Sequence, residues 1–203
     1  MLREAVDIDA PLPIGFGQTN SQPSTVAFML ELLQPKGKQK ILDVGFGSGW
    51  TTALLAYIVG EEGRVFGLEI APELFQFGAA NLVGIFSSYQ QGSSPHPHPL
   101  RDRRGRKGEV ADAGFRINNI DLFNKSGWEG LPEHAPFDRI LVSAGASEVP
   151  KALKDQLAIK GKMVIPVDTY GGGQTIKLIE KIGKNNFQEN NYPGFVFVPL
   201  VKK

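Results

Sequence analysis

From Lys40 onward the sequence alternates short, almost wholly apolar runs with amphipathic stretches, joined by glycine or polar turns. This rhythm restricts the fold more than any other feature of the chain. Runs at about Lys40–Val44, Arg64–Leu68, Phe115–Asn119, Arg139–Ser143, Lys162–Val167, Thr175–Lys181 and Phe195–Leu200 read as strands. Helices are expected over Gln22–Leu33, Gly49–Val59, Pro72–Leu82 and Pro150–Leu157, the last two opening on proline, whose missing N–H is harmless at a first helical position. Ile140–Val142 and Met163–Ile165 show no polar alternation, which implies burial on both faces, as in a parallel sheet covered by helices. Lys181–Gly194 is too polar and Asn-rich for a crossover helix, so the last two strands are expected to pair antiparallel. The expected architecture is α/β, doubly wound and Rossmann-like, on a mixed, mostly parallel seven-stranded sheet.

At 203 residues the chain fits one domain, 1–203, with a sizeable core. Ser87–Val110 breaks the rhythm: rich in Ser, Gly, Pro and Arg, it cannot bury enough apolar surface to offset its ordering entropy, and is expected to be an exposed, mobile insertion. With no cysteine there are no disulfides, thiolate metal ligands or Cys nucleophile, which suits a reducing, cytoplasmic location. A net charge of +1 gives no general attraction to nucleic acid or an anionic membrane. The basic cluster Arg101, Arg103, Arg104, Arg106 and Lys107 lacks interleaved aromatics for stacking on bases, and a solvated loop is the favoured reading. His96 and His98 have no third ligand nearby, so no metal is expected. The longest apolar run, Ala53–Val59, falls short of a membrane span, and Met1–Leu12 lacks the apolar core of a signal peptide.

The sharpest local signal is Ile41–Trp50, ILDVGFGSGW. A strand carries Asp43 one step before its tip; Gly45, Gly47 and Gly49 then alternate with Phe46 and Ser48, and a helix follows. Such glycines bring bare N–H groups against a ligand at a helix N-terminus. Glu69 ends the next strand, where a carboxylate can accept both hydroxyls of a ribose. Together they point to an adenosine-containing cofactor. The spacing is G-x-G-x-G after an acid, not the dinucleotide G-x-G-x-x-G, and fits S-adenosylmethionine, which has no pyrophosphate but carries an ammonium that Asp43 can help hold. A nicotinamide cofactor and a ligand-free glycine turn are the alternatives.

Pro11–Pro23, PLPIGFGQTNSQP, resembles the segment of protein-L-isoaspartate O-methyltransferases that usually reads PLPIG-aromatic-GQT-I-SQP. Leu131–Leu153, Gln156–Val167, Gly171–Lys181 and the closing FVFVPL follow the same family in order, so the resemblance covers Pro11–Leu200 except the insertion. It implies methyl transfer from S-adenosylmethionine to the α-carboxylate of an L-isoaspartyl residue in a damaged protein or peptide; a monomer is expected. It implies Ser21 beside the reacting carboxylate, with Gln18 and Thr19 in the same pocket and Ile14, Ser143 and Ala144 at the substrate mouth. An N-cap is the alternative role for Ser21, and core packing or strand ending for Ile14, Ser143 and Ala144. Asp43, Gly45, Phe46, Gly47, Ser48, Gly49, Glu69 and Ile70 match the cofactor set.

The chain departs from the family at several positions. The family carries some fifty residues before the PLPIG string, whereas Met1–Ala10 stand here, so an N-terminal layer is expected to be missing. The G-D-G whose aspartate faces the adenine amine aligns with Lys125, Ser126 and Gly127, leaving Ser126, or Asp121 a few residues earlier, as the adenine contact. Asn20 replaces an apolar residue beside Ser21, and Ser147 replaces the proline before Glu148. Two further readings follow: a methyltransferase of this fold with another acceptor, and a non-catalytic module that binds through the basic insertion.

Overall fold

The computed structural model describes residues 8–91 and 115–202. Strands β3 (Lys40–Val44), β4 (Arg64–Leu68), β5 (Phe115–Ile117), β6 (Ile120–Phe123), β7 (Phe137–Val142), β8 (Leu157–Asp168), β9 (Gln174–Gly183) and β10 (Asn186–Phe195) form one eight-stranded sheet in the order β10-β9-β8-β7-β3-β4-β6-β5. The inner pairs β7·β8, β3·β7, β3·β4 and β4·β6 are parallel, and β8·β9, β9·β10 and β5·β6 are antiparallel. Two earlier strands, β1 (Leu12–Gly15) and β2 (Gln18–Asn20), make a separate two-stranded hairpin.

Side-chain alternation along the buried strands divides the core. On β3, Ile41 packs with Leu55, Leu82 and Ile120 on the face covered by helices α1 (Pro23–Leu33), α2 (Trp50–Val59) and α3 (Pro72–Gln91), while Leu42 and Val44 join Phe66, Phe137 and Met163 on the other face, with Leu153 of α4 (Lys151–Gln156). Each such fully buried side chain contributes about 1.5–3 kcal/mol of transfer free energy. Among the described residues no helix is long and apolar enough to cross a membrane.

The α/β, mostly parallel architecture agrees with the sequence, but the strand count does not. The run at 115–119 is no single strand: Asn118, at φ 51, turns the chain so that β5 and β6 pair as a hairpin. The final strand lies at Asn186–Phe195, not at Phe195–Leu200. It is a mostly exposed edge strand, so its polar sequence carries no apolar period to read. Helix α3 runs on to Gln91, into the segment expected to be a mobile insertion; the rest of that insertion, with its histidines and basic cluster, lies outside the described residues.

The chain leaves β3 for β4 on one side and returns later to β7 on the other. Open parallel sheets receive ligands at such a reversal, outside the strand C-termini. The glycine turn after β3 stands there.

Candidate active site

The turn after β3 bends through three left-handed glycines, Gly45 (φ 77), Gly47 (φ 50) and Gly49 (φ 84), before α2 begins. A cavity of about 150 Å³ opens against it, lined by Gly45, Phe46, Gly47 and Ser48 of the turn, Glu69 and Ile70 beyond β4, Ile14, Gln18, Thr19, Asn20 and Ser21 of the hairpin segment, and Ser143 and Ala144 after β7. Twelve candidate site residues read from the sequence, with Asn20 as a thirteenth neighbour, therefore meet on one cleft. Among the described residues its only charged lining side chains are Glu69 and Lys125.

Glu69 is buried, and its carboxylate is already positioned. Oε2 accepts the Gly47 N–H at 3.1 Å and Oε1 accepts the Ala71 N–H at 3.0 Å. Asn124 holds the same bend from below, donating Nδ2–H to the carbonyls of Glu69 (2.7 Å) and Ile70 (3.1 Å).

Asp43 does not line the cleft; it lies just behind it, fully buried on the α2 face of β3. Oδ2 accepts both the Thr51 hydroxyl (3.0 Å) and the Thr52 hydroxyl (2.6 Å) at the start of α2, while Oδ1 has no partner among the described residues. Burial pushes this carboxyl up to about 6, the hydroxyls of Thr52 and Thr51 pull it down, and the nearby Glu69 charge adds to the rise. A buried carboxylate oxygen without a partner is costly unless a donor or cation meets it.

Ser21 stands where two cavities meet. A second cavity, about 220 Å³, is lined by Pro11, Gln22, Thr25 and residues 194–198, and shares Thr19, Ser21, Ser143 and Val198 with the first. Capping does not claim the serine: the N-cap of α1 is Gln22, without a side-chain cap bond, and the Ser24 N–H donates instead to Asp9 Oδ1 at 2.9 Å, with Gln22 Nε2 on Oδ2 at 3.0 Å.

Three other candidates are placed elsewhere. Gly49 packs against α3, where an added β-carbon would fall 2.8 Å from Leu82 Cγ, so it serves helix contact. Asp121, on β6 next to the edge strand β5, is bound by Arg64 (2.7 Å) and Arg116, beside the N-terminal half of β4 and away from the cleft. Its acid is used by those arginines because both lie on its own face of the sheet. Ser126 is half-buried but outside the lining; its neighbours Lys125 and Gly127 line the wall instead. Phe46 lines the cleft, yet its ring is in the core against Phe75 (centroids 5.8 Å apart), which leaves its main chain for a ligand.

Sequence reasoning missed the segment 198–201, which lines the cleft after being read as a strand end. Gly145 N–H donates to Val198 O at 2.8 Å, Leu200 N–H to Gly145 O at 2.7 Å and Trp128 Nε1–H to Leu200 O at 3.0 Å, fastening it as a strap. Pro199 was the available signal, since proline interrupts strand pairing.

A profile of the protein-L-isoaspartate(D-aspartate) O-methyltransferase family matches residues 1–203. The protein-L-isoaspartate O-methyltransferase of Aeropyrum pernix is 39% identical over 193 residues, covering 95% of this chain and 63% of its own. That of Methanopyrus kandleri is 38% identical over 204 residues, covering 98% of this chain and 75% of its own. The chain thus spans less than two thirds of the first relative's length. A crystal structure of a candidate protein-L-isoaspartate O-methyltransferase from Plasmodium falciparum, in complex with S-adenosyl-L-homocysteine, superposes with a TM-score of 0.75 at 28% identity, covering 97% of this chain and 82% of that one.

Proposed function

Because the chain belongs to the protein-L-isoaspartate(D-aspartate) O-methyltransferase family, we propose that it transfers a methyl group from S-adenosylmethionine to the α-carboxylate of an L-isoaspartyl residue in a damaged protein or peptide. The single observation carrying this reading is the place of Ser21, on the wall common to the glycine-turn cleft and the second cavity. One cavity then takes the methyl donor and the other the acceptor.

The residues present fit the donor. Glu69 has two oriented carboxylate oxygens for a ribose diol, and the unpartnered Oδ1 of Asp43 offers a buried acceptor behind the turn for an ammonium. When bound, the cofactor supplies a methyl group made electrophilic by the positive sulfur that carries it. The turn amides and Glu69 bind and orient; Ile70, Ala71 and Leu74 give the cleft apolar wall.

The acceptor needs no general base, since an α-carboxylate with a pKa of about 3.5 is ionised at neutral pH. The Ser21 hydroxyl donates to that carboxylate and aims an oxygen into the first cavity, with Thr19 and Ser143 beside it. Alignment of this kind lowers the barrier by several kcal/mol without an acid–base pair. We take the protein to act as a cytoplasmic monomer, in keeping with a cysteine-free chain of near-neutral charge.

The test uses isotope-labelled cofactor with an isoaspartyl peptide and its aspartyl twin. Base-labile label must enter the first and not the second, and Ser21→Ala must lower turnover more than cofactor affinity. Cofactor binding with no label in the isoaspartyl peptide would overturn the assignment.

A further inference from the structure

The hairpin β1–β2 is not hydrogen-bonded into the main sheet, yet it carries the chain directly into Ser21. Two contacts set it against the glycine turn. Ile14 Cδ1 lies 3.3 Å from where a β-carbon on Gly47 would be, and the Ser48 hydroxyl donates to Asn20 Oδ1 at 2.6 Å. Ser48 is itself held from the other side, its carbonyl accepting Asn81 Nδ2–H of α3 at 3.0 Å.

We infer that Asn20 is a positioning residue that couples cofactor occupancy to the placement of Ser21. The physical path is short: Glu69 Oε2 accepts the Gly47 N–H, Gly47 is bonded to Ser48, Ser48 donates to Asn20, and Asn20 is bonded to Ser21. A ribose diol engaging Glu69 shares the oxygen that now holds Gly47, so the turn and the hydroxyl of Ser48 respond to the ligand. An apolar residue at position 20 has no acceptor for that hydroxyl, so this link belongs to the Asn20 of this chain. Coupling between two sites is reciprocal, so whatever the cofactor does to the hairpin, an ordered acceptor returns to the cofactor. The inference rests on the donor site proposed above.

Hydrogen exchange across residues 12–22, with and without S-adenosylhomocysteine, reads the coupling without catalysis. In the wild type the added ligand must slow exchange in the hairpin. In Asn20→Ala and in Ser48→Ala that slowing must be lost, equally and with no further loss in the double variant, while calorimetry shows ligand still bound. Asn20→Asp, which keeps an oxygen acceptor, must retain it. In turnover assays Asn20→Ala must lower kcat/KM for the acceptor by about three- to tenfold, the size of one hydrogen bond, with KM for the donor little changed. Bound ligand with a hairpin that does not respond, or a response that survives in both single variants, overturns the coupling alone. A wild type that binds no S-adenosylhomocysteine overturns it together with the donor site, and ligand-dependent protection without methylation of the peptide leaves the coupling standing while the acceptor assignment falls. Both side chains are only partly buried, and thermal unfolding of each variant separates a lost link from a lost fold.

Discussion

Helix α3 passes so close to the glycine turn that the carbonyl oxygen of Gly47 occupies the space a β-carbon on Gly78 would need, with the Phe46 ring 2.6 Å from the same point. Alanine normally favours a helix over glycine by about 1 kcal/mol. Gly78→Ala is nevertheless expected to destabilise the protein by about 1–3 kcal/mol, because the obstacle is backbone that cannot turn aside. It is also expected to weaken S-adenosylhomocysteine binding by displacing the turn. Urea unfolding and calorimetry check both, and a stabilised variant would disprove the packing account.

Asp43 makes the stability dependent on pH. Its carboxyl is raised from an ordinary 3.8 to about 6 by burial. Protonation therefore favours the folded state. The contribution is complete below about pH 4 and is lost as pH rises through 6, amounting to about 3 kcal/mol in all. Asp43→Asn, fixed in the neutral state, is expected to gain on the wild type across that interval. Paired denaturation curves from pH 4 to 7.5 decide it; a constant difference would count against a titrating Asp43.

The same carboxyl predicts the opposite trend for ligand affinity. An ammonium is held by the ionised form, so S-adenosylhomocysteine is expected to bind more tightly as pH rises through 6, and Asp43→Asn to flatten that rise. Titrations at pH 5, 6 and 7 provide the comparison.

For Glu69, removal of both acceptors in Glu69→Ala is expected to weaken S-adenosylhomocysteine by about ten- to a hundredfold, the range for hydrogen bonds to a charged group. Glu69→Gln, which keeps one acceptor, is expected to fall between. Unchanged affinity in the alanine variant would remove Glu69 from the donor site.

Asp121→Asn tests the converse. With Arg64 and Arg116 left partly unpaired, stability is expected to drop by about 1–2 kcal/mol, moderated by the solvent that reaches both arginines. Affinity for S-adenosylhomocysteine is expected to stay at the wild-type value, and a large loss would return Asp121 to the cleft.

Burial on both faces made the inner strands plain in the amino-acid order: β3 and β4 begin and end where the apolar runs do, whereas β7 begins two residues before the run read at Arg139 and β8 five before that at Lys162, because their first residues are in part polar or exposed. Where one or both faces meet water, limits were not plain. The hairpin β1–β2 and edge strand β10 are held by main-chain pairing that leaves little trace in side-chain type. The site follows the same division. Gly45, Gly47 and Glu69, which line the cleft, stand at strand ends where the pattern of the chain marks them, whereas the lining by 198–201 depends on long-range pairing with Gly145. That Asp121 lies away from the cleft is not legible in the sequence, because its two arginine partners, 57 and 5 positions away, become neighbours only in the folded sheet.

The double grip of Asp9 on Gln22 and Ser24 fastens the root of the hairpin from both sides. Ser21 is consequently tethered on its downstream side by this clasp, while its upstream neighbour Asn20 is held to the glycine turn through Ser48. If the chain acts as proposed, damage lodged in a rigid helix or a paired strand has to unravel before it reaches Ser21, and the acceptors expected are the loosened parts of ageing proteins.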